Sequence, residues 1–198
     1  FAAIAVSFSG VFALRAACSR TLGERMTALC LIGGYYDVDR VSDFLVNARR
    51  SDPYGRMLML RSYYREVEPE SNEFHQLLER CIRQSAKLED GWNLRTLLDP
   101  ADALQERLYR LLDDATERER FHRKVRTAFD SEWDGYRVSL EFANPGTPVF
   151  LLHGRADRVI PPGESRRLAR QMTARGIPNH LCITRFLTHG DSAIRLAR

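Results

Sequence analysis

A chain of 198 residues with 44% hydrophobic residues holds enough apolar mass for one domain of ordinary size, or for a core with an insertion. No apolar run is long enough to span a bilayer, which excludes a membrane-spanning class. The 30 basic and 26 acidic residues leave a net charge of +4. The basic residues are mostly arginines with carboxylates among them, the pattern of an ion-paired surface and not of a nucleic-acid footprint.

Cysteine usage adds little. Cys18, Cys30, Cys81 and Cys182 are scattered, with no spacing that suggests a metal knuckle or a redox pair. Cys18, Cys30 and Cys182 sit among apolar neighbours and are expected to be buried, reduced thiols, which points to the cytoplasm.

The first element runs from Phe1 to Val6, an unbroken apolar stretch expected to be a strand covered on both faces. Ser7 follows at a sharp turn, and Ala13, Ala16 and Ala17 then recur at helical spacing. Small residues stand two before the serine (Ala5) and two after it (Ser9), as a tight strand-to-helix turn requires. Such a turn lifts a serine hydroxyl clear of the sheet, so Ser7 is a candidate nucleophile. Two plainer readings compete locally. A signal peptide lacks support, because there is no basic leading region and Arg15 lies too near the cleavage point. A serine that only caps the helix stays open at this stage.

Thr27–Ile32 is a second buried strand, stopped by Gly33 and Gly34. A strand, helix and strand within about thirty residues form a βαβ unit, which implies a parallel sheet. Ligands bind beyond the carboxyl ends of such strands. Tyr35 and Tyr36 stand at one of those ends, as pocket residues or as packing aromatics.

Residues 37–144 change character to charged amphipathic helices. Phe74, Leu77, Leu78, Cys81 and Ile82 follow a helical stripe. Asp99-Pro100 predicts a helix start, and Thr116 with Glu119 has capping-box spacing. His75 and His122 are expected at the surface, and Trp92 and Trp133 at helix joints. The sheet is expected to resume after Pro148, which divides the chain into a core of 1–36 and 145–198 and an insertion of 37–144. Val149–Leu152 is a third strand, Gly163–Arg175 a helix, and His180–Leu187 a last strand.

Three side chains then stand just past the carboxyl ends of three predicted strands: Ser7, Asp157 and His189. A serine hydroxyl needs a base to attack, and an imidazole is suited to take its proton. A carboxylate can in turn fix the imidazole's tautomer. A zinc site from His180, His189 and Asp191 has no supporting spacing, and neither a metal nor an organic cofactor is expected.

Ala5-Val6-Ser7-Phe8-Ser9-Gly10, His153-Gly154-Arg155-Ala156-Asp157-Arg158-Val159-Ile160-Pro161 and Thr188-His189-Gly190 together resemble the α/β-hydrolase family, in its C-terminal two-thirds. The resemblance covers about ninety core residues, in the chain order nucleophile, acid, base. It implies Ser7 as nucleophile, Asp157 as acid, His189 as base and the backbone amide of Phe8 as an oxyanion-hole donor. It implies a structural histidine at His153 and makes the helical block the family's inserted cap. The expected fold is therefore an incomplete parallel-sheet α/β-hydrolase core with a helical cap. Ala5 and Ser9 depart from the glycines usual in the elbow. The chain also begins inside the nucleophile strand, so it is read as a piece of a longer protein that is inactive or poorly folded alone. The expected activity is hydrolysis of an ester or related acyl bond of a small to medium, partly apolar molecule. Acyl transfer or carbon–carbon bond hydrolysis with the same triad, and a non-catalytic binding protein, are the alternatives.

Overall fold

The computed structural model describes residues 1–67, 71–85 and 93–189. The chain divides into two compact units, Phe1–Ser42 with Asp134–Arg198, and Asp43–Trp133.

The first unit is built on four strands, β1 (Ala2–Val6), β2 (Ala28–Ile32), β3 (Val149–Gly154) and β4 (Asn179–Thr184), paired in the order β1-β2-β3-β4. All three pairings are parallel, with Ala5 opposite Leu31, Leu31 opposite Leu151, and Leu151 opposite Leu181. Parallel neighbours need crossovers. Helix α1 (Ser9–Cys18) and the short α2 (Arg20–Gly23) supply the first, and a later helix between Gly163 and Ala174 supplies the last.

One sheet face carries the core. Ala5, Leu29, Leu31, Val149 and Leu151 alternate inward and pack with Leu14 and Ala17 of α1 and with Leu168, Ala169 and Met172. The buried stripe of α1 is Gly10, Val11, Leu14 and Ala17, so the expected alanine face is centred on Leu14. The other sheet face is different. Ile4 and Phe150 are 74% and 48% exposed, so β1 is not covered on both faces as its apolar run suggests. Cys182 shares that face and is exposed, Cys18 and Cys30 are half-buried, and of the four thiols only Cys81 is buried. Apolar neighbours in sequence did not reveal which side of the sheet each thiol would take.

The second unit is helical. It comprises the end of α3 (Val38–Asn47), then α4 (Pro53–Val67), α5 (Asn72–Ser85), α6 (Ala103–Asp113), α7 (Ala115–Ala128) and the short α8 (Asp130–Trp133). Tyr64 is fully buried, stacked on Phe74 at 4.7 Å and near Phe121 at 5.8 Å. Two expected helix starts move. Asp102, not Asp99, caps α6 by accepting from the Gln105 amide, and Asp114, not Thr116, caps α7 by accepting from the Glu117 amide. In both cases another oxygen-bearing side chain close by took the cap position. His75 and His122 are half-buried, each edge-on to an aromatic ring (Tyr64 and Trp133), a contact that their charged sequence surroundings did not reveal. Trp133 is buried, while Trp92 lies outside the described residues.

Two buried arginines close the helix ends of this unit. Arg56 donates to the carbonyls of Leu45, Ala48 and Leu112 and to Ser51 Oγ. Arg118 donates to the carbonyls of Val46, Leu112 and Asp113. These carbonyls terminate α3 and α6, where the helix leaves acceptors unpaired and carries partial negative charge. Each cation thus serves the carbonyl ends of helices. Replacing Arg56 by Met removes a charged donor from three buried carbonyls, leaving those of Leu45 and Ala48 to Ser51 and that of Leu112 to Arg118, and a hydrogen bond to a charged group is worth ~1.5–3 kcal/mol. Arg56→Met is expected to destabilise the helical unit by at least about 2 kcal/mol in urea unfolding; a loss under about 0.5 kcal/mol would show that these bonds are replaceable.

Candidate active site

The carboxyl end of β1 meets a turn that ordinary residues avoid. Ser7 has φ 59°, the only positive φ at a non-glycine position among the described residues. The left-handed region costs an L-residue roughly 1–2 kcal/mol, and it is the conformation a nucleophile elbow needs. The turn is held on both sides. The Ser7 amide donates to Ile32 O at 2.7 Å, and the Gly10 amide returns to Ser7 O at 3.1 Å. Ser9 explains the missing glycine: its hydroxyl donates to Val6 O at 2.7 Å and accepts from the Val6 amide at 2.9 Å. That double bond to one residue was not foreseen from the sequence, where Ser9 stood out only as a small residue.

Ser7 Oγ lies 2.8 Å from His189 Nε2, and His189 Nδ1 lies 2.8 Å from Asp157 Oδ2. An ionised carboxylate only accepts, so Nδ1 carries the hydrogen and Nε2 is left to accept from the serine hydroxyl. Residues 182 positions apart are joined in one chain of hydrogen bonds. The three side chains come from the ends of β1, β3 and β4, which the parallel pairing brings to one edge.

Asp157 is the best-anchored group in the site. Its Oδ1 accepts from the amides of Val159 and Ile160, both at 2.9 Å. Its Oδ2 accepts from His189 and also faces His153 Nε2 at 3.2 Å. Burial pushes the carboxyl upward. Hydrogen bonds from His153 and His189, the charge of His189 and the Ile160 amide outweigh burial and hold it at about 2, below the ordinary 3.8.

The remaining expected residues lie close by. The Phe8 amide precedes α1 and has no hydrogen-bond partner among the described residues, so it is available to an anion beside Ser7. Tyr35 is buried, with its ring 5.2 Å from that of Phe8 and its hydroxyl donating to Tyr136 O. Tyr36 packs on the sheet core, and its amide is 3.4 Å from Glu164 Oε2. Gly33, a residue marked only as a strand stop, has φ 64° and lies against the acid. A methyl there would sit 3.6 Å from Asp157 Oδ2 and 3.9 Å from His189 Nδ1. His180 stands at the amino end of β4, and Asp191 lies outside the described residues. Among the described residues no three His, Cys, Asp or Glu side chains cluster as a metal would need.

No family model matches the sequence, and no curated protein matches it. Solved structures do. MGS-M2, an alpha/beta hydrolase enzyme from a Medee basin deep-sea metagenome library, is 15% identical over 96% of this chain and 58% of its own, with TM-score 0.40. Candida antarctica lipase A is 16% identical over 95% of this chain and 44% of its own, with TM-score 0.47. The Pyrococcus horikoshii acylaminoacyl peptidase is 12% identical over 99% of this chain and 21% of its own, with TM-score 0.40. The chain spans from a fifth to under three-fifths of the length of the structures first matched. Likeness at this level concerns the course of the chain, and the chemistry has to come from the side chains.

Two outcomes test the site's physics. Because the folded carboxyl of Asp157 is depressed, its contribution to stability is complete above pH 4 and is lost as the pH falls through about 2. That contribution is about 2 kcal/mol, since each tenfold change in proton affinity is worth ~1.4 kcal/mol. Urea unfolding of the wild type should therefore weaken between pH 4 and pH 2 by about 2 kcal/mol more than that of Asp157→Asn. Parallel curves for the two proteins would mean that the acid is not anchored as described. Gly33→Ala should cost roughly 1 kcal/mol of stability through its positive φ, with the space itself sufficient for the methyl. A neutral or stabilising Gly33→Ala would contradict the left-handed turn.

Proposed function

We propose that the protein is a serine hydrolase that cleaves an ester or related acyl bond of a small to medium, partly apolar molecule. The observation that carries this reading is the unbroken Ser7–His189–Asp157 chain, with both links at 2.8 Å. Ser7 Oγ attacks the acyl carbon while His189 Nε2 takes its proton, and the carbonyl π pair moves to oxygen. The Phe8 amide donates to that oxyanion. As the tetrahedral species collapses, the bond to the leaving group breaks and His189 returns the proton to it. An acyl-Ser7 intermediate remains. Water, deprotonated by His189, then attacks the same carbon; Ser7 departs and recovers the proton, and a carboxylic acid is released. Asp157 keeps the His189 hydrogen on Nδ1 throughout and stabilises the transient imidazolium.

The reading calls for no cofactor. The helical block stands at the chain position where this family inserts a cap, which supports a substrate with apolar character. The free thiols at Cys18, Cys30, Cys81 and Cys182 support a reducing compartment such as the cytoplasm. No helix among the described residues is long and apolar enough to cross a membrane.

A fluorophosphonate probe applied to the natural protein should label one serine, and Ser7→Ala should abolish labelling. No labelling at any pH would favour a binding protein with an idle elbow. His189→Ala should slow turnover of activated esters by ~10²–10⁴ while leaving the circular dichroism spectrum unchanged, as loss of a general base does. Activity within about tenfold of wild type would remove His189 from the role of base.

A further inference from the structure

The reaction proposed above employs one of the two imidazoles that touch Asp157. The other, His153, takes no step in it, yet its side chain is completely buried. On one side of its ring, Nε2 lies 2.9 Å from the Ile160 carbonyl oxygen and 3.2 Å from Asp157 Oδ2. Both neighbours are acceptors, so Nε2 carries a hydrogen. On the other side, Nδ1 meets Ser165 Oγ at 2.6 Å.

Ser165 lies in α9 (Gly163–Ala174), the helix that crosses from β3 to β4, and it is also completely buried. Its Oγ also lies 3.0 Å from Gly34 O, so its single hydrogen is shared between that carbonyl and His153 Nδ1. One hydroxyl therefore joins the loop after β2 to the ring that braces the acid. The residue before Gly34 in that loop is Gly33, where an added methyl would sit 3.6 Å from Asp157 Oδ2 and 3.9 Å from His189 Nδ1. Ile160 closes the circuit from the other end. Its amide donates to Asp157 Oδ1 at 2.9 Å, and its carbonyl accepts from His153. The ring thus has partners at both nitrogens, and those at Nε2 are the carboxylate itself and the residue whose amide also holds it.

Resting on the reading of Ser7, His189 and Asp157 as a triad, we propose that Ser165 and His153 are a positioning pair for the acid. Ser165 locks the His153 ring, and the ring's Nε2–H holds Asp157 Oδ2 where it receives the hydrogen of His189 Nδ1. Neither residue touches the reacting atoms. Their loss leaves substrate binding alone and acts on the orientation of His189, so it lowers kcat while KM holds.

The groups facing Asp157 are His153, His189 and the amides of Val159 and Ile160, so the acid itself reports on the pair. The experiment compares wild type with Ser165→Ala, His153→Leu and His153→Gln in the natural protein. One readout is the Asp157 carboxyl titration, followed by NMR of 13Cγ-labelled aspartate and assigned with Asp157→Asn. The second is the rate of fluorophosphonate labelling, and the third is kcat and KM on an activated ester. His153→Leu is expected to raise the Asp157 midpoint and to slow labelling by ~10–100-fold, the range for the outer partners of a site histidine. Ser165→Ala should move both in the same direction, by about tenfold in rate. His153→Gln, whose amide can still donate, should recover a large part of the loss.

An unmoved Asp157 titration with labelling within about twofold of wild type in folded Ser165→Ala and His153→Leu would overturn the proposal. Should His153→Leu fail to fold, Ser165→Ala decides by the same criterion. The titration does not require activity. A wild type that resists labelling, but whose Asp157 midpoint shifts in Ser165→Ala, would refute the Ser7 chemistry and leave the positioning pair standing.

Discussion

The carboxylate of Asp157 is the junction on which the site depends. It lies in the β3–α9 loop, receives two amides from that loop, and binds imidazoles from β3 and from the segment after β4. Removing a buried partner from such a set leaves charged or polar groups without compensation, which costs more than any one bond returns when formed. The loop therefore has one arrangement in which every lone pair is used. His189 then has one direction for its Nδ1–H, and Ser7 one acceptor within reach. The order of the site is inherited from a buried anion and passes outward to the half-buried hydroxyl.

That order has a counterpart in backbone strain at Ser7. A left-handed serine persists only where its surroundings over-determine it. Here the surroundings are the Ile32 carbonyl on one side and the first turn of α1 on the other. The sheet's parallel register does the rest. Strands that all run one way deliver their carboxyl ends to a single edge, so three distant segments meet without long connecting loops.

Much of this was legible in the sequence, because its signals were of a kind that local patterns carry. Runs rich in apolar residues marked all four strands, and Ser7, Asp157 and His189 stood just past three of them. The three residues are now seen in hydrogen-bond contact. What escaped notice depended on geometry without a pattern. Ser165 is one serine among polar helix residues, and nothing in Gly163–Ala174 shows that it points at a buried histidine. The caps expected at Asp99 and Thr116 lost to Asp102 and Asp114, because several side chains near each helix start meet the chemical requirement. Face assignment failed for Ile4 and Cys182, since alternation along a strand says which residues share a side but not whether that side is covered.

The hydroxyl of Ser9 has a further effect through the strand it folds back upon. The Val6 amide and carbonyl point away from β2, along the free edge of the sheet, and Ser9 Oγ engages both. A strand that aligned itself with β1 would find its last pair of hydrogen-bonding groups already taken. The ladder on that side must therefore end at Ile4, three residues before Ser7. Ser9 thus keeps the backbone at Ser7 clear of any intruding chain, a boundary that a glycine in its place would not draw.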